Sequence, residues 1–361
     1  MFKQFELNSL SNLPDFAYSN VAATLEKLPL GYVDIGARGG AHDTVFGIAR
    51  HTGVLGFEPD IDECQLLLSN DRIVSPWALF QLESLALFSS AGEFDLHLLS
   101  DPNNHSLLPP NTDLLKRYNM VKWVEVGSQK LNTVTLDSVL FGNRAHQEQW
   151  GEFIKIDTQG TEFDILEGGS RVLEERCVAA VIEVSFCELY KNQKLFSEVE
   201  KFMRKFGFSF YGFMPIHGRS CKIFDKKNHI TAERALYSDA IFFKDPLGRG
   251  NQKNFTLSVR QIHILFTVAL LLNFYDFAIE LARKTWLQEA DAHENNLIEK
   301  LVSNLSELPT MESVKAVDQL ANNVKKRPEL ANLFVHEFVD RRRKICDFDD
   351  ILNVSPLPRA L

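Results

Sequence analysis

None of the chain's five cysteines (Cys64, Cys177, Cys187, Cys221 and Cys346) stands in C-x-x-C spacing with another, and their number is odd. A disulfide framework or a zinc site is therefore not expected, and reduced thiols in a cytosol fit better. Long apolar runs are also missing. The most apolar stretch, Ile262–Phe274, contains His263 and is shorter than the roughly 20 residues a membrane span needs. It reads as a buried helix. Met1–Leu10 lacks a basic region followed by an apolar one, so no secretory signal is expected and the protein reads as cytoplasmic. Positive charge is scarce too: 39 Lys and Arg stand against 48 Asp and Glu, and the isoelectric point is near 5.6. Nucleic acid is not the expected partner, because phosphate binding needs clustered Lys and Arg. A local basic run, Arg341–Lys344, reads as a solvated helix end.

What remains is the composition of an ordinary folded protein, 45% hydrophobic and 24% charged over 361 residues. That length holds an α/β domain and something smaller. A helical pattern at Tyr18–Leu28, stopped by Pro29, reads as a lead-in over residues 1–30. From Gly31 short apolar runs alternate with helical patterns, the mark of βαβ units and a mainly parallel sheet. The runs are Tyr32–Ile35, Gly53–Phe57, Trp77–Phe80, Phe94–Leu99, Phe153–Ile156, Val178–Val184 and Ala240–Phe243. Helical patterns fall at Ala41–Ala49, Ile61–Leu68, Glu162–Leu173 and Phe196–Phe206. Ser89–Gly92, between Leu85–Phe88 and Phe94–Leu99, reads as a hairpin turn, and the prolines at 102, 109 and 110 mark an irregular loop. This domain is placed at residues 31–247. The stretch Asp245–Asn254 has linker composition, and residues 255–361 read as a helical C-terminal region.

The sequence Val33-Asp34-Ile35-Gly36-Ala37-Arg38-Gly39-Gly40 follows an apolar strand. Its three glycines let the backbone turn sharply and approach a ligand, and free N–H groups at a following helix favour a negative group there. The dinucleotide fingerprint G-x-G-x-x-G is not met, since the spacing here is Gly36-x-x-Gly39-Gly40. An acid at Asp34 would repel pyrophosphate but suits a ligand bearing an ammonium and a sulfonium. Glu58 follows the second strand, placed to accept both hydroxyls of a ribose. NAD sites share that feature, so it does not discriminate by itself.

Together with these, the run Gly56-Phe57-Glu58-Pro59-Asp60 and the run Ile154-Lys155-Ile156-Asp157-Thr158-Gln159-Gly160-Thr161-Glu162 resemble the FkbM-type methyltransferases. His105-Ser106-Leu107, Thr135-Leu136-Asp137 and Leu166-Glu167-Gly168-Gly169 extend the resemblance, which covers roughly residues 30–245. It implies a class I methyltransferase (Rossmann-like) fold: a seven-stranded, mostly parallel sheet flanked by helices, whose last strand, Ala240–Phe243, runs antiparallel. It also implies S-adenosylmethionine as cofactor, held by Asp34, Gly36, Ala37, Arg38, Gly39, Gly40, Glu58 and Pro59. The activity implied is O-methylation of a hydroxyl on a sugar, glycan or secondary metabolite. The chain departs from the family pattern at Arg38, where Asn is usual, and at Gln159, where an acid is usual.

A sugar hydroxyl is a weak nucleophile at neutral pH and calls for a general base or a metal. The candidates are Asp157, at the end of its strand; Glu183, a carboxylate interrupting an apolar run; and the loop histidines His105 and His217. Asp157 and Glu183 could share a divalent cation, but no third ligand is evident, and no metal is expected. Glu162 reads as a first-turn helix acid or a site acid, and Asp239 as the start of the last strand. Two other classes stay open: an NAD-dependent oxidoreductase, disfavoured by the glycine spacing and Asp34, and a non-catalytic methyltransferase-like binding protein, favoured by Arg38 and Gln159.

Overall fold

The computed structural model describes residues 6–144, 147, 149–221, 223, 233–248 and 255–342. Cys346 and the end of the basic run at 343–344 lie outside them. Among the described residues eleven strands are formed: β1 Leu30–Ile35, β2 Thr52–Phe57, β3 Leu79–Glu83, β4 Ala86–Leu87, β5 Gly92–Leu99, β6 Glu125–Val134, β7 Phe153–Ile156, β8 Ala179–Ser185, β9 Ser209–Phe213, β10 His217–Arg219 and β11 Arg234–Phe243. The main sheet runs β3-β2-β1-β7-β8-β11, with β10 and β9 both pairing along the outer side of β11. Its β1, β2, β3, β7 and β8 are mutually parallel, and β11 is antiparallel to β8, β9 and β10.

The sheet is thus mixed and eight-stranded rather than seven-stranded. The residues expected at Ala240–Phe243 do run antiparallel, as the inner half of a longer strand. The hairpin expected around Ser89–Gly92 does not form. There β4 and β5 lie on opposite sides of β6, in a separate three-stranded sheet. The ten-residue β6 takes β5 antiparallel along its length and β4 in parallel at Thr133 and Val134, so the two strands meet through it and not through each other. The helix expected at Ala41–Ala49 is a kinked 3-10 segment, Asp43–His51, and the strand expected at Trp77–Phe80 begins two residues later, at Leu79.

Every residue of β1, β2 and β7 is buried, as expected of parallel strands covered on both faces. One face carries Tyr32, Val54, Phe153, Val181 and Ile241; the other carries Val33, Leu55, Ile154, Ile182 and Phe242. Helices Glu162–Gly168, Ser170–Glu175 and Phe196–Arg204 cover the second face. The first is covered by both chain ends at once: Asn20–Lys27 from the N-terminus, then Val259–Leu271, Tyr275–Lys284 and the start of Ala292–Lys326. The C-terminal region therefore completes the core. His263–Leu271 is buried at every position, the pattern of a helix surrounded by protein rather than one lying on a surface. Arg260 anchors it: its guanidinium donates to both oxygens of buried Glu152, at 2.6 and 2.8 Å, and to the carbonyls of Leu28 and Pro29.

Candidate active site

The register of the central strands sets four residues level at their carboxyl ends. Ile35 pairs with Ile156 and Ile156 with Ile182, so Gly36, Asp157 and Glu183 come next, and Glu183 pairs with Asp239 on β11. One row lower, Asp34 pairs with Lys155. Side chains two apart on a strand share a face. Asp34, Lys155, Asp157, Glu183 and Asp239 all lie on the face shared by Tyr32 and Phe153.

Asp34 begins one half of the site. Its Oδ2 accepts from the His42 N–H at 2.9 Å and from the Tyr32 hydroxyl at 3.2 Å. Its Oδ1 is buried with no partner among the described residues. Burial raises its pKa, opposed by the Lys155 cation. The glycine loop beside it is forced by geometry. Gly36, Gly39 and Gly40 have φ of 88°, 82° and 102°, and a Cβ on Gly36 would stand 2.0 Å from the Asp157 carbonyl oxygen. Gly36 and Ala37 N–H groups both donate to Phe57 O, which ties the loop to the end of β2 and so to Glu58. A Cβ on Gly39 would meet nothing within 4 Å, so the loop fronts open space.

Glu58 is 7% exposed, its pKa raised by burial. Its Oε1 accepts from Asp60 N at 3.0 Å, which fixes the turn through Pro59 into the helix Ile61–Leu68. Asp60 caps that helix. Arg38 lies across this turn, 3.9 Å from Glu58, 3.4 Å from Asp60 and 3.9 Å from Glu63. Three acids thus hold the guanidinium.

The second half is the carboxylate row. Burial alone would raise Asp157, but the Lys155 cation, 3.3 Å away, and a 2.9 Å hydrogen bond from Gln159 outweigh it and hold the carboxyl below its ordinary range. Lys155 stays cationic: Asp157, Asp34 and Asp239 overcome its own desolvation. Glu183 moves the other way, raised far above the usual value by burial and then by Asp157, Glu162 and Asp239. Asp239 is raised by burial and Asp157. Gln159 sits in the left-handed region, φ 60°, and its Nε2 reaches both Asp157 and Glu183. Tyr190 fixes the amide by donating to its Oε1.

Glu162 is neither simply a helix acid nor free. It begins the helix Glu162–Gly168 and folds back to accept from the N–H groups of Thr158 and Gly160 at 2.9–3.1 Å; burial pushes its pKa to about 7. It supplies the third acid that the strand pattern did not reveal, since ligand atoms of Asp157, Glu162 and Glu183 all lie within 4.8 Å of one another. The oxygens of Glu162 are already occupied by backbone donors, and those of Asp157 by Lys155 and Gln159.

Residues 34–210 match the model of the Methyltransferase FkbM domain. The chain carries an FkbM methyltransferase domain. No curated protein matches it. Among solved structures the chain is similar to methyltransferase FkbM from Methylobacillus flagellatus KT, at 13% identity over 60% of this chain and 43% of that one, with a TM-score of 0.34. It is also similar to Sp1610 of Streptococcus pneumoniae, assigned as a tRNA (m1A22) methyltransferase, at 10% identity over 79% of this chain and 97% of that one, TM-score 0.31. The chain spans less than half the length of the Methylobacillus protein.

Within the FkbM domain, Asp34, Gly36–Gly40, Glu58 and Pro59 form one continuous turn system, and Asp157 and Glu183 stand beside it. His105 is set apart: its Nδ1 accepts from Leu99 N, and burial, then Arg38, lower its pKa. Its charged neighbours are Arg38, Asp60 and Asp101 rather than the carboxylate row. Tyr32, His42, Tyr190 and Tyr237 join the site with no signal in the sequence, and Asp239 does so from a position that reads as a strand start. Lys155 carried a signal, a charge inside a four-residue apolar strand.

Proposed function

We propose that the chain is an S-adenosylmethionine-dependent O-methyltransferase acting on a hydroxyl of a sugar, glycan or secondary metabolite. The observation that carries this reading is the buried, unpartnered Oδ1 of Asp34 beside a glycine turn open to space. A buried carboxylate oxygen without a donor costs free energy unless something arrives to satisfy it. The ammonium of the cofactor's methionine portion has the right charge and the right donors. Glu58, one strand over, would accept from the ribose hydroxyls, while the Gly39 and Gly40 N–H groups donate to Glu63 Oε1 and Ala37 O and hold the turn in place. The donor set fits the cofactor. The strand order, with one antiparallel strand beside β8, supports the class I methyltransferase reading.

S-adenosylmethionine, when bound, supplies an electrophilic methyl group on a sulfonium. The chain's own contribution is to hold the acceptor hydroxyl and take its proton. Asp157 is suited to accept that proton because Lys155 and Gln159 keep it ionised. Glu183, pushed upward by burial and by its neighbouring acids, is the member of the pair favoured to hold a proton and donate a hydrogen bond to an acceptor oxygen. Such divided pairs are how one site provides both roles. Proton acceptance of this kind contributes about 10²- to 10⁴-fold, and alignment the larger share.

The test is ligand-linked stability. S-adenosylhomocysteine at about 100 times its dissociation constant adds about 2.7 kcal/mol to a native state it binds selectively, a clear rise in Tm. Asp34→Asn abolishes the rise. No shift for the unaltered protein at millimolar ligand, with NADH binding instead, would turn the reading to the oxidoreductase alternative.

A further inference from the structure

Two residues before Asp239 on the same face of β11 is Tyr237, level with Ser185 at the end of β8. Its partner on the next strand is His217 of β10. The two rings are stacked, centroids 4.6 Å apart and planes 13° from parallel. A half-buried tyrosine and an exposed histidine thus make one aromatic surface in the row directly outside the carboxylates. Burial, reinforced by Glu183 and Asp157, keeps the Tyr237 phenol protonated. Neither ring belongs to the two large cores that pack against the main sheet, and Tyr237 packs only at the edge of a third, smaller cluster around Tyr118, Tyr190 and Leu236.

An aromatic face bordered by carboxylates has a distinct chemical complement. A pyranose ring has C–H groups on its faces and hydroxyl donors around its rim. The faces suit an aromatic ring, and the rim suits carboxylate and amide acceptors. Charge narrows the class further. Asp157, Glu162, Glu183 and Asp239 converge on this end of the sheet. Among the described residues the cations near them are Lys155, buried beneath and joined to Asp157, and Arg219 at the outer end of β10, with His42 and His217 acting on Asp239 when protonated. A phosphate or carboxylate on the acceptor would meet these clustered acids, whereas an amine would be welcomed by them.

We propose that the Tyr237–His217 stack is the platform on which the acceptor lies, and that the acceptor is a neutral or amino pyranose without phosphate or carboxylate. The proposal rests on the methyl-transfer reading above and assigns specificity to residues outside its cofactor half. The platform sets the sugar's face; Glu183 and Asp239 read its hydroxyls; Asp157 takes the proton.

The experiment uses the full chain saturated with S-adenosylhomocysteine, whose affinity is measured separately. Methyl glycosides of neutral hexoses, hexosamines and hexuronic acids, and hexose phosphates, are titrated and followed by saturation-transfer NMR. Neutral or amino sugars are expected to bind, and acidic ones not. Tyr237→Ala weakens sugar binding about fivefold or more and Tyr237→Phe restores it, while S-adenosylhomocysteine binds all three proteins alike. Tighter binding of a uronic acid or sugar phosphate overturns the proposal. So does an unchanged sugar affinity in Tyr237→Ala, or a protein that binds S-adenosylhomocysteine but no sugar. Failure to bind S-adenosylhomocysteine at all sinks the methyl-transfer reading, and the proposal with it.

Discussion

Asp157 and Glu183 stand side by side at the ends of β7 and β8, tied by the one amide of Gln159 at 2.9 and 3.4 Å, yet they titrate in opposite directions. Burial acts on both. Only Asp157 has Lys155 against it. Asp157→Asn is therefore expected to lower turnover by about 10²- to 10⁴-fold. Glu183→Gln, which resembles the protonated acid that the upward shift favours, costs less than about tenfold. Equal losses in a steady-state assay would show that the pair does not divide its roles.

Arg38 occupies the carboxylate that the ribose reading assigns to the cofactor. Arg38→Asn should tighten S-adenosylhomocysteine binding about three- to tenfold at low ionic strength, with the gain shrinking as salt screens the wild-type ion pairs. Its effect on stability should stay within about 1 kcal/mol, since the guanidinium is part-exposed and such pairs contribute little. Isothermal titration at two salt concentrations checks both statements. Weaker binding would mean that Arg38 itself holds part of the cofactor.

The two ends of the glycine loop should respond differently to a methyl group. Gly36→Ala places a Cβ against the Asp157 carbonyl, in a backbone region that already costs a non-glycine residue about 1–2 kcal/mol. It should fail to fold or lose several kcal/mol. Gly39→Ala incurs only the conformational cost, because nothing lies near, yet its methyl enters the open space assigned to cofactor. Urea unfolding and S-adenosylhomocysteine titration of Gly39→Ala should show a modest stability loss with a much larger loss of binding.

Arg260 and Glu152 join the C-terminal helices to the amino ends of β1 and β7, where Glu152 also accepts from Gly31 N. Arg260→Ala leaves a buried carboxylate without its cation, a change that costs about 3–5 kcal/mol. Pairing it with Glu152→Gln should recover much of that loss in urea unfolding, because the uncompensated charge is gone. A double variant as unstable as the single would place the cost in the lost hydrogen bonds to Leu28 and Pro29.

His263 is buried between the two chain ends, its Nδ1 at 2.8 Å from Thr24 Oγ1, and burial lowers its pKa to about 4. Below about pH 6.5 the unfolded chain takes up a proton that the native state refuses. Its stabilisation is thus complete above that value and falls as pH drops towards 4, by up to about 3 kcal/mol. His263→Gln should flatten this part of the stability profile. The same acid slope in wild type and variant would assign it to other groups.

Local signals in the sequence were enough for β1 and β2 with their glycine turn and trailing acid, and for the apolar helix around His263. Each depends on neighbours within a few residues: alternation, turn-forming glycines, or a continuous apolar run. The hairpin expected around Ser89–Gly92 failed for the complementary reason. Strand pairing is decided by partners far along the chain, and β6 competed successfully for both strands. The same distance hid Tyr237 and the part played by Asp239, which reach Glu183 only because β11 returns antiparallel beside β8.

By itself, then, the sequence determined the glycine turn after β1, where Gly36 and Asp34 follow from the sterics and charge of eight consecutive residues. Tertiary structure alone decided the rest. Register set Asp157, Glu183 and Asp239 abreast, and burial with and without Lys155 in contact shifted two carboxyl groups in opposite directions. Packing against the open face of the sheet turned a C-terminal region of helical texture into half of the core. Pairing across strands and desolvation are properties of the assembled fold, and no stretch of residues carries them before it is built.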